Sequence, residues 1–126
     1  MTNSEFEQYL ESIGGLTNAY NIDGAKITYR GHFSVGDGWL DLVKDLIDQL
    51  ISLGWNKSVT QVKEKFGGLR FYICSSTDEI DSTIDLFEQV SYTICEDCGK
   101  EGKLRNDLHW IRTLCDEHYS ERKENK

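Results

Sequence analysis

The sequence predicts an α+β protein, in which a small antiparallel sheet with two to three packed helices precedes a compact C-terminal module. Apolar residues recur at helical spacing in three separate segments, whereas polar and apolar residues alternate along 59–73. Two closely spaced pairs of cysteine and histidine residues lie near the C-terminal end. The chain has 126 residues, of which 38% are hydrophobic, so it is large enough to bury a core.

The N-terminal part of the chain predicts one helix and one short strand. A Ser4-x-x-Glu7 capping box starts the helix, which carries apolar residues at helical spacing as far as Gly14-Gly15. An Asp23-Gly24 turn follows, and Lys26–Tyr29 alternates in the manner of a short strand.

Two longer helices are predicted further along the chain. The first begins at Gly36-Asp37-Gly38-Trp39, with Asp37 as its N-cap, and its apolar stripe extends to Gly54. The second follows a Ser76-x-x-Glu79 capping box, and its apolar positions run from Ile80 to Ile94. Because this helix leads directly into the first cysteine pair, we expect the C-terminal module to dock rigidly on the rest of the protein.

The residues between these two helices predict a β-hairpin. Val59–Ile73 alternates about Gly67-Gly68, and two glycines adopt the positive φ of a two-residue turn without strain. Alternation then sorts the side chains onto two faces. The apolar face holds Val62, Phe66, Leu69, Phe71 and Ile73, with Glu64 as a charged member, and the other face holds Lys63, Lys65, Arg70, Tyr72 and Cys74.

The C-terminal motif predicts a structural zinc site. Cys95 and Cys98 form a C-x2-C pair, Cys115 and His118 form a C-x2-H pair, and sixteen residues separate the two pairs. Zinc prefers four tetrahedral ligands, and thiolate and imidazole are its usual protein donors. Four protein ligands leave no open coordination position, which makes the predicted ion structural rather than catalytic.

The order of the elements around these ligands resembles a treble-clef zinc finger. A C-x2-C turn is followed by a predicted hairpin over Lys103–Thr113, which turns near Asn106-Asp107, and then by a helix over 115–124. One helical turn brings Cys115 and His118 side by side on that helix. The zinc finger is therefore predicted to be treble-clef-like.

These elements divide the chain into an α+β body, residues 1–94, and a zinc-finger subdomain, residues 95–126, docked on the body. The net charge is -8, so we do not expect extended nucleic acid as a partner, because its binding depends on phosphate neutralisation. The stretch 56–72 is the exception, with four basic residues and one acidic residue. Met1–Glu5 lacks the features of a secretory signal, and no apolar run is long enough to cross a membrane, so we expect a cytoplasmic protein.

Three segments of the chain together resemble a known family. They are Gly36-Asp37-Gly38-Trp39, the Gln61–Tyr72 segment QVKEKFGGLRFY, and Cys95–His118 with Trp110-Ile111-x-Thr113-Leu114-Cys115. These segments are similar to those of a family of small uncharacterised proteins from bacteriophage and prophage genomes. The resemblance implies a phage accessory protein that acts in the cytoplasm of a host bacterium. Such proteins often block or redirect a host factor, and one class of them inhibits bacterial defence systems.

Two hypotheses of function involve binding without catalysis. The first, which we favour, is a non-catalytic protein that binds a host protein. The second is a binder of a small anionic or nucleotide ligand through Lys63, Lys65, Arg70 and Tyr72. A guanidinium fork recognises phosphate, and an aromatic ring beside it stacks on a base.

The remaining candidate residues favour structural roles. His109 lies in the predicted finger hairpin, where it is similar in place to the catalytic histidine of His-Me nucleases, and Glu121 is its one conceivable partner on the helix. Since the finger has no basic face for DNA, we do not expect an enzyme. Cys74 stands alone on a strand and is expected to be inert. Three tryptophans are expected in the core: Trp39, Trp55 and Trp110.

Overall fold

The computed structural model describes residues 1–18 and 26–124, so the predicted Asp23-Gly24 turn lies outside the described residues. The α+β class is confirmed. The helices are α1 (Asn3–Ser12), α2 (Leu40–Ser52), α3 (Asp78–Ser91) and α4 (Asp116–Glu124). The strands are β1 (Leu16–Asn18), β2 (Lys26–Ile27), β3 (Phe33–Ser34), β4 (Ser58–Lys65), β5 (Gly68–Ile73), β6 (Lys103–Arg105) and β7 (Arg112–Leu114). None of these helices is long and apolar enough to cross a membrane.

The main sheet is mixed rather than antiparallel as predicted. Its central strand is β4, which pairs with β5 in antiparallel along one side and with β1 and β3 in parallel along the other. β2 pairs with β1 in antiparallel. Helix α2 joins the parallel pair β3 and β4, since parallel neighbours need a crossover connection. Because β1, β2 and β3 have only three, two and two residues, their sequences are too short to predict partner or direction.

The hydrophobic core of the body forms where α1, α2 and α3 meet this sheet. Trp39 and Trp55 lie in it, which confirms the prediction for these two tryptophans. The apolar face of the β4–β5 hairpin also lies there. Its buried side chains are Val62, Leu69 and Phe71, and they pack with Phe6, Leu10, Leu46, Ile47 and Leu50 from the helices.

Two helix starts differ from the predicted capping boxes by one or two residues. Thr2, not Ser4, caps α1: its hydroxyl accepts the N–H of Glu5, and the Glu5 carboxylate accepts the N–H of Thr2. Thr77, not Ser76, caps α3. Both threonines have the extended backbone of an N-cap, and their hydroxyls do the same chemistry as those of the serines. Composition alone therefore does not fix the first residue of either helix.

The start of α2 also differs from the prediction. Asp37 begins a short 3-10 turn, Asp37–Trp39, and no side chain caps α2. The carboxylate of Asp37 instead lies 3.1 Å from the guanidinium of Arg30. This turn leaves Gly36 and Gly38 facing the C-terminal part of the chain.

The turn between β4 and β5 is shifted by one residue from its predicted position. Phe66 and Gly67, with φ of 52° and 84°, form its central pair, and Lys65 pairs with Gly68. Gly68 is instead the first residue of β5. A β-carbon at this position would overlap the ring of Tyr92, so glycine is required there. The shift preserves the two faces of the hairpin, since opposite residues still share a side. It moves Phe66 out of the apolar face, so the predicted core position of that residue is wrong.

Helix α3 covers the outer edge of β5. The N–H of Leu69 donates to the Ser91 hydroxyl at 2.9 Å, and the N–H of Phe71 donates to the Glu88 carboxylate at 3.0 Å. Both N–H groups point away from β4 and would otherwise be open to pairing with another chain. Burial raises the pKa of the Glu88 carboxyl, and the hydrogen bond from Phe71 opposes that rise.

Candidate metal centre and the body–finger seam

The four predicted zinc ligands lie together at the C-terminal end. The ligand atoms of Cys95, Cys98, Cys115 and His118 are all within 4.8 Å of one another. Nδ1 of His118 lies 3.2 Å from the Cys115 sulfur and 3.6 Å from the Cys95 sulfur, and the sulfurs of Cys98 and Cys115 are 3.8 Å apart. Three sulfurs and an imidazole nitrogen this close together can hold a metal ion. Within residues 1–18 and 26–124, no other group of three or more such side chains is placed to do so.

Local structure brings each ligand into place. Cys95 and Cys98 lie in a tight turn, closed by a 2.9 Å hydrogen bond from the N–H after Cys98 to the Cys95 carbonyl. Cys115 immediately precedes α4, and His118 follows within its first turn. While Nδ1 of His118 faces the sulfurs, its Nε2 lies 4.0 Å from the Glu121 carboxylate. A carboxylate near the second ring nitrogen is the usual arrangement for a metal-binding histidine.

The surroundings of Cys115 favour its thiolate form. The backbone N–H of His118 lies 3.5 Å from the Cys115 sulfur and is the main reason why the pKa of that thiol is lowered to about 7. Cys115 and Cys95 are buried, whereas Cys98 is exposed. Because the thiolate is the form that binds metal, Cys115 is prepared for a cation, whereas desolvation and the neighbouring thiols raise the pKa of Cys98 to about 11, so that metal binding must displace its proton.

The turn over residues 95–99, which we call the metal-binding turn because it carries two of the four candidate ligands, docks against the Gly36-Asp37-Gly38-Trp39 segment. Gly38 donates its N–H to the Glu96 carbonyl at 2.7 Å, and Trp39 donates its indole N–H to the Ile94 carbonyl at 2.9 Å. A β-carbon at Gly38 would overlap backbone atoms of the metal-binding turn. Glycine is required here because two backbones approach each other closely. The body, residues 1–94, and the finger, residues 95–124 of the described chain, therefore share a packed seam.

Glu96, between the two cysteines of the turn, fixes the same contact from the finger side. Only 3% of its surface is exposed. Its carboxylate accepts the N–H of Gly36 at 2.8 Å and lies 3.3 Å from the guanidinium of Arg112 on β7. Burial raises the pKa of this carboxyl, and both partners oppose the rise. One acid thus joins the body to two parts of the finger.

The turn between β4 and β5 makes a second contact across the seam. The Thr113 hydroxyl, fully buried, donates to the Gly67 carbonyl at 2.6 Å. The Glu64 carboxylate accepts the Gly67 N–H at 2.7 Å and the Trp110 indole N–H at 3.0 Å. Glu64, the charged residue on the predicted apolar face, therefore has hydrogen-bond donors for its carboxylate, because the finger packs against this end of the hairpin.

Three large apolar side chains remain exposed around this contact. Phe66 is 64% exposed, Trp110 is 59% exposed and Leu104 is 44% exposed. We call them the seam patch. Leu104 packs against Gly67, where a β-carbon would overlap it, and Trp110 is tied to the same turn through Glu64. The predicted core position of Trp110 is wrong, because this residue lies in the loop between β6 and β7 rather than on a strand.

Sequence reasoning missed the seam patch because each of its members looks like an ordinary core residue in isolation. The available signal was position: Trp110 follows the predicted Asn106-Asp107 turn, and Phe66 precedes a Gly-Gly pair. Loops and turns place their side chains toward solvent more often than strands do.

A cavity of about 980 Å³ opens beside the finger, next to Trp110. His109 and Glu121 both line it, so the two residues of the nuclease hypothesis share one space. The two arginines on its wall, Arg112 and Arg122, are each paired with a carboxylate, at 3.3 Å and 2.8 Å. Among the described side chains, His109 and Glu121 belong to no group of three potential metal ligands.

The four residues of the predicted anion site lie on the other face of the hairpin from the core. We call Lys63, Lys65, Arg70 and Tyr72 the basic strip. Lys63 is directly opposite Arg70, and its ammonium nitrogen lies 6.0 Å from the centre of the Tyr72 ring. The ammonium nitrogen of Lys65 lies 5.7 Å from the centre of the Phe66 ring, so the strip adjoins the seam patch.

Comparisons of the chain with protein-family models, curated proteins and solved structures found no match. The resemblance to phage and prophage proteins stays a prediction. The structure nevertheless gives its three segments a common location, because the Gly36–Trp39 segment, the β4–β5 turn and the finger hairpin all meet at the seam.

Proposed function

We propose that this chain is a zinc-stabilised, non-catalytic accessory protein of phage or prophage origin that binds a host protein in the bacterial cytoplasm. A protein of a bacterial defence system is the first class of target to examine, since the resemblance points to inhibitors of host factors. In this proposal zinc folds the finger, docking fixes it on the body, and the seam patch binds the partner. The exposed seam patch is the observation that carries the proposal.

Zinc is the metal that we propose for the Cys95, Cys98, Cys115 and His118 cluster. In a zinc tetrahedron, with bonds of about 2.3 Å to sulfur and about 2.0–2.1 Å to nitrogen, donor atoms lie roughly 3.4–3.8 Å apart. Three of the six separations, at 3.2, 3.6 and 3.8 Å, are close to this range, and all six are within 4.8 Å. Thiolate donors also favour zinc over magnesium and calcium, which prefer oxygen. With four protein donors, such an ion is structural.

The conformation of Phe66 supports a binding role for the seam patch. Its φ of 52° lies in the left-handed region, which is uncommon for a bulky residue and costs free energy. Asparagine or glycine would fill the same turn position with less strain. Since 64% of Phe66 is exposed, burial in the free protein does not compensate for that cost. Burial of the Phe66 ring by a partner protein offsets this free-energy cost.

The seam patch is also held rigidly before any partner arrives. Glu64 fixes the Trp110 indole through its N–H at 3.0 Å, and the same carboxylate fixes the turn that carries Phe66. A rigid aromatic side chain loses little conformational entropy on binding. Exposed aromatic residues that are already held in place in the free protein are typical of the few positions that contribute most of the binding free energy at a protein interface.

A differential pull-down tests the proposal. The zinc-loaded protein, the Phe66→Ser/Trp110→Ala double variant and the control Leu86→Ser, which alters an exposed apolar residue on α3, are immobilised and exposed to bacterial lysate. We expect a host protein that the wild type and Leu86→Ser retain equally and that the double variant retains at least about tenfold less. Identical protein profiles from all three baits would refute a role for the patch.

A smaller anionic ligand on the basic strip is a second candidate function. Lys63 and Arg70 lie directly opposite each other, and like charges in this arrangement destabilise a sheet. A bound phosphate group between them would remove that repulsion. Thermal unfolding with a panel of nucleotides tests this: a stabilising nucleotide must lose its effect in Lys63→Gln and keep it in Lys100→Gln, which changes an exposed lysine in the finger. No stabilisation by any nucleotide counts against this candidate.

A further inference from the structure

The charge around the seam patch identifies the chemistry of its occupant. Residues 61–72, which form the hairpin on either side of Phe66, carry three basic side chains and one acidic side chain, in a chain whose net charge is -8. The acidic member, Glu64, is engaged by the Gly67 N–H and the Trp110 indole. On the hairpin side of the patch, the remaining charged groups are therefore the three cations of the basic strip.

The two lysines of the basic strip are not neutralised by the described part of the protein. In the described part of the chain, neither Lys63 nor Lys65 has a carboxylate within ion-pair distance. The Arg70 guanidinium donates to the Leu69 carbonyl at 3.0 Å and the Tyr92 hydroxyl at 3.2 Å, and it is attracted by the Glu88 carboxylate of α3 without forming an ion pair with it. Three cations thus lie along one exposed face of the hairpin that ends at Phe66.

We propose, on the basis of the function proposed above, that the partner contributes an acidic segment with an apolar anchor. The anchor packs against Phe66, Leu104 and Trp110, and aspartate or glutamate side chains of the same segment lie along Lys65, Lys63 and Arg70. An apolar centre with a charged rim is the usual composition of a protein interface. The rim charges give the orientation of the segment and raise its rate of association.

A protein segment fits this surface better than a nucleic-acid strand does. Every nucleotide carries a phosphate, so a strand that crosses the seam patch brings negative charge beside Trp110. The cavity next to Trp110 is lined by the carboxylates of Asp97, Asp107 and Glu121, and its two arginines are already paired with carboxylates, so it offers phosphate no unpaired arginine. A polypeptide can place neutral or apolar residues there and confine its acids to the basic strip. Leu104, an aliphatic side chain, also offers nothing to stack on a base.

Peptide selection tests the occupant without knowledge of the natural partner. A random 12-residue peptide library displayed on yeast is sorted on the zinc-loaded full chain, with counter-selection on Phe66→Ser/Trp110→Ala. We expect the selected peptides to be acidic and to contain a leucine or aromatic residue. The dissociation constant of the best peptide, measured by fluorescence anisotropy, should rise about tenfold or more between 50 and 500 mM salt and about tenfold in Phe66→Ser.

A variant with reversed charge on the basic strip provides the second part of this test. Lys63→Glu/Lys65→Glu changes two side chains outside the core and should invert the selection toward basic peptides. Neutral or basic peptides selected by the wild type, yet lost in Phe66→Ser, would overturn the acidic occupant while leaving the protein-binding function intact. Selection unchanged by Phe66→Ser/Trp110→Ala would overturn both. Tighter binding of a 12-nucleotide oligo-dT or oligo-U than of the best peptide, weakened by Lys63→Glu/Lys65→Glu, would assign the surface to nucleic acid and also overturn the proposal.

Discussion

The body and the finger are held together by different forces. The body buries a continuous core contributed by three helices and the sheet. In the finger the fully or mostly buried apolar cluster consists of Cys95, Leu114 and Cys115, and two of these three are candidate metal ligands. Units of about 30 residues bury too little surface to fold by the hydrophobic effect alone. We therefore expect the finger to depend on a metal ion bound at the Cys95, Cys98, Cys115 and His118 cluster and on the seam, and the body to fold without the metal ion.

This difference between the body and the finger predicts which changes unfold only the finger and which affect binding rather than stability. Loss of the metal should unfold the finger and expose the docking surface of the body, but it should leave α2 and the β4–β5 hairpin folded. Loss of a seam contact should weaken the finger more than the body. Changes at the seam patch should have small effects on stability and large effects on binding, because the patch is exposed.

Metal removal should have the largest effect. Structural zinc contributes about 10–16 kcal/mol in zinc-finger peptides, so Cys115→Ser or a strong chelator should unfold residues 95–124 almost completely. Hydrogen exchange should show loss of protection there and retention in α2. Elemental analysis should find one zinc per wild-type chain and one per Cys74→Ser, the matched control, which changes an exposed cysteine outside the site. Full protection of the finger in metal-free protein would show that the hydrophobic cluster suffices.

Gly38→Ala should have the next largest effect, because the added methyl group overlaps the backbone of the metal-binding turn. Overpacking of this kind costs about 1–3 kcal/mol, and we expect the upper end because backbone cannot move aside as a side chain can. Urea unfolding gives the loss, and hydrogen exchange should place it in the finger. Gly54→Ala is the control: its φ of 89° makes it strained, but a β-carbon there meets nothing, so its effect should remain in the body.

The candidate metal centre could be predicted from sequence because its chemistry is local. Two pairs of ligands, each closed by a single turn of chain, need only spacing and residue type, and Cys95, Cys98, Cys115 and His118 do come together. The long helices and the central hairpin were predictable for the same reason, since their apolar periodicity extends over many residues. Short strands such as β3 carry no such pattern, and their parallel pairing with β4 depends on the crossover through α2.

The seam could not be predicted because its residues act across long separations in the chain. Gly38 is a glycine because a β-carbon there would overlap the backbone of Cys95 and Cys98, and the Glu64 carboxylate accepts the Trp110 indole N–H. Nothing within either local segment reveals its partner. The exact turn at Phe66 likewise depends on Tyr92, which requires Gly68 in the strand. A sequence pattern predicts a single helix or strand, whereas the identity of these residues is determined by contacts between two elements that are distant in the chain.

Phe66→Asn should raise stability slightly while it weakens partner binding about tenfold. Asparagine tolerates the φ of 52° better than phenylalanine, so we expect a gain of about 0.5–1 kcal/mol in the free energy of unfolding. Opposite changes in stability and binding at one exposed residue would sharpen the contrast between a structural seam and a functional patch. Urea unfolding and the differential pull-down measure the two quantities. Leu86→Asn, on the exposed side of α3, should lower stability slightly and leave binding unchanged. A clear loss of stability in Phe66→Asn would show that the ring supports the fold.

Glu88→Gln should have the smallest effect, and it concerns the body alone. Burial raises the pKa of Glu88 in the folded protein above its ordinary value of 4.5, so folding favours the protonated acid. Its contribution to stability is therefore fully present below pH 4.5 and declines as the pH rises through the folded-state pKa. Glutamine keeps an oxygen for the Phe71 N–H and removes this decline, so the variant should gain on the wild type as the pH rises above 4.5. Urea unfolding across this range, with Glu7→Gln on the exposed side of α1 as the control, measures the difference. Parallel pH profiles for the variant and the wild type would show that folding does not raise the pKa of Glu88.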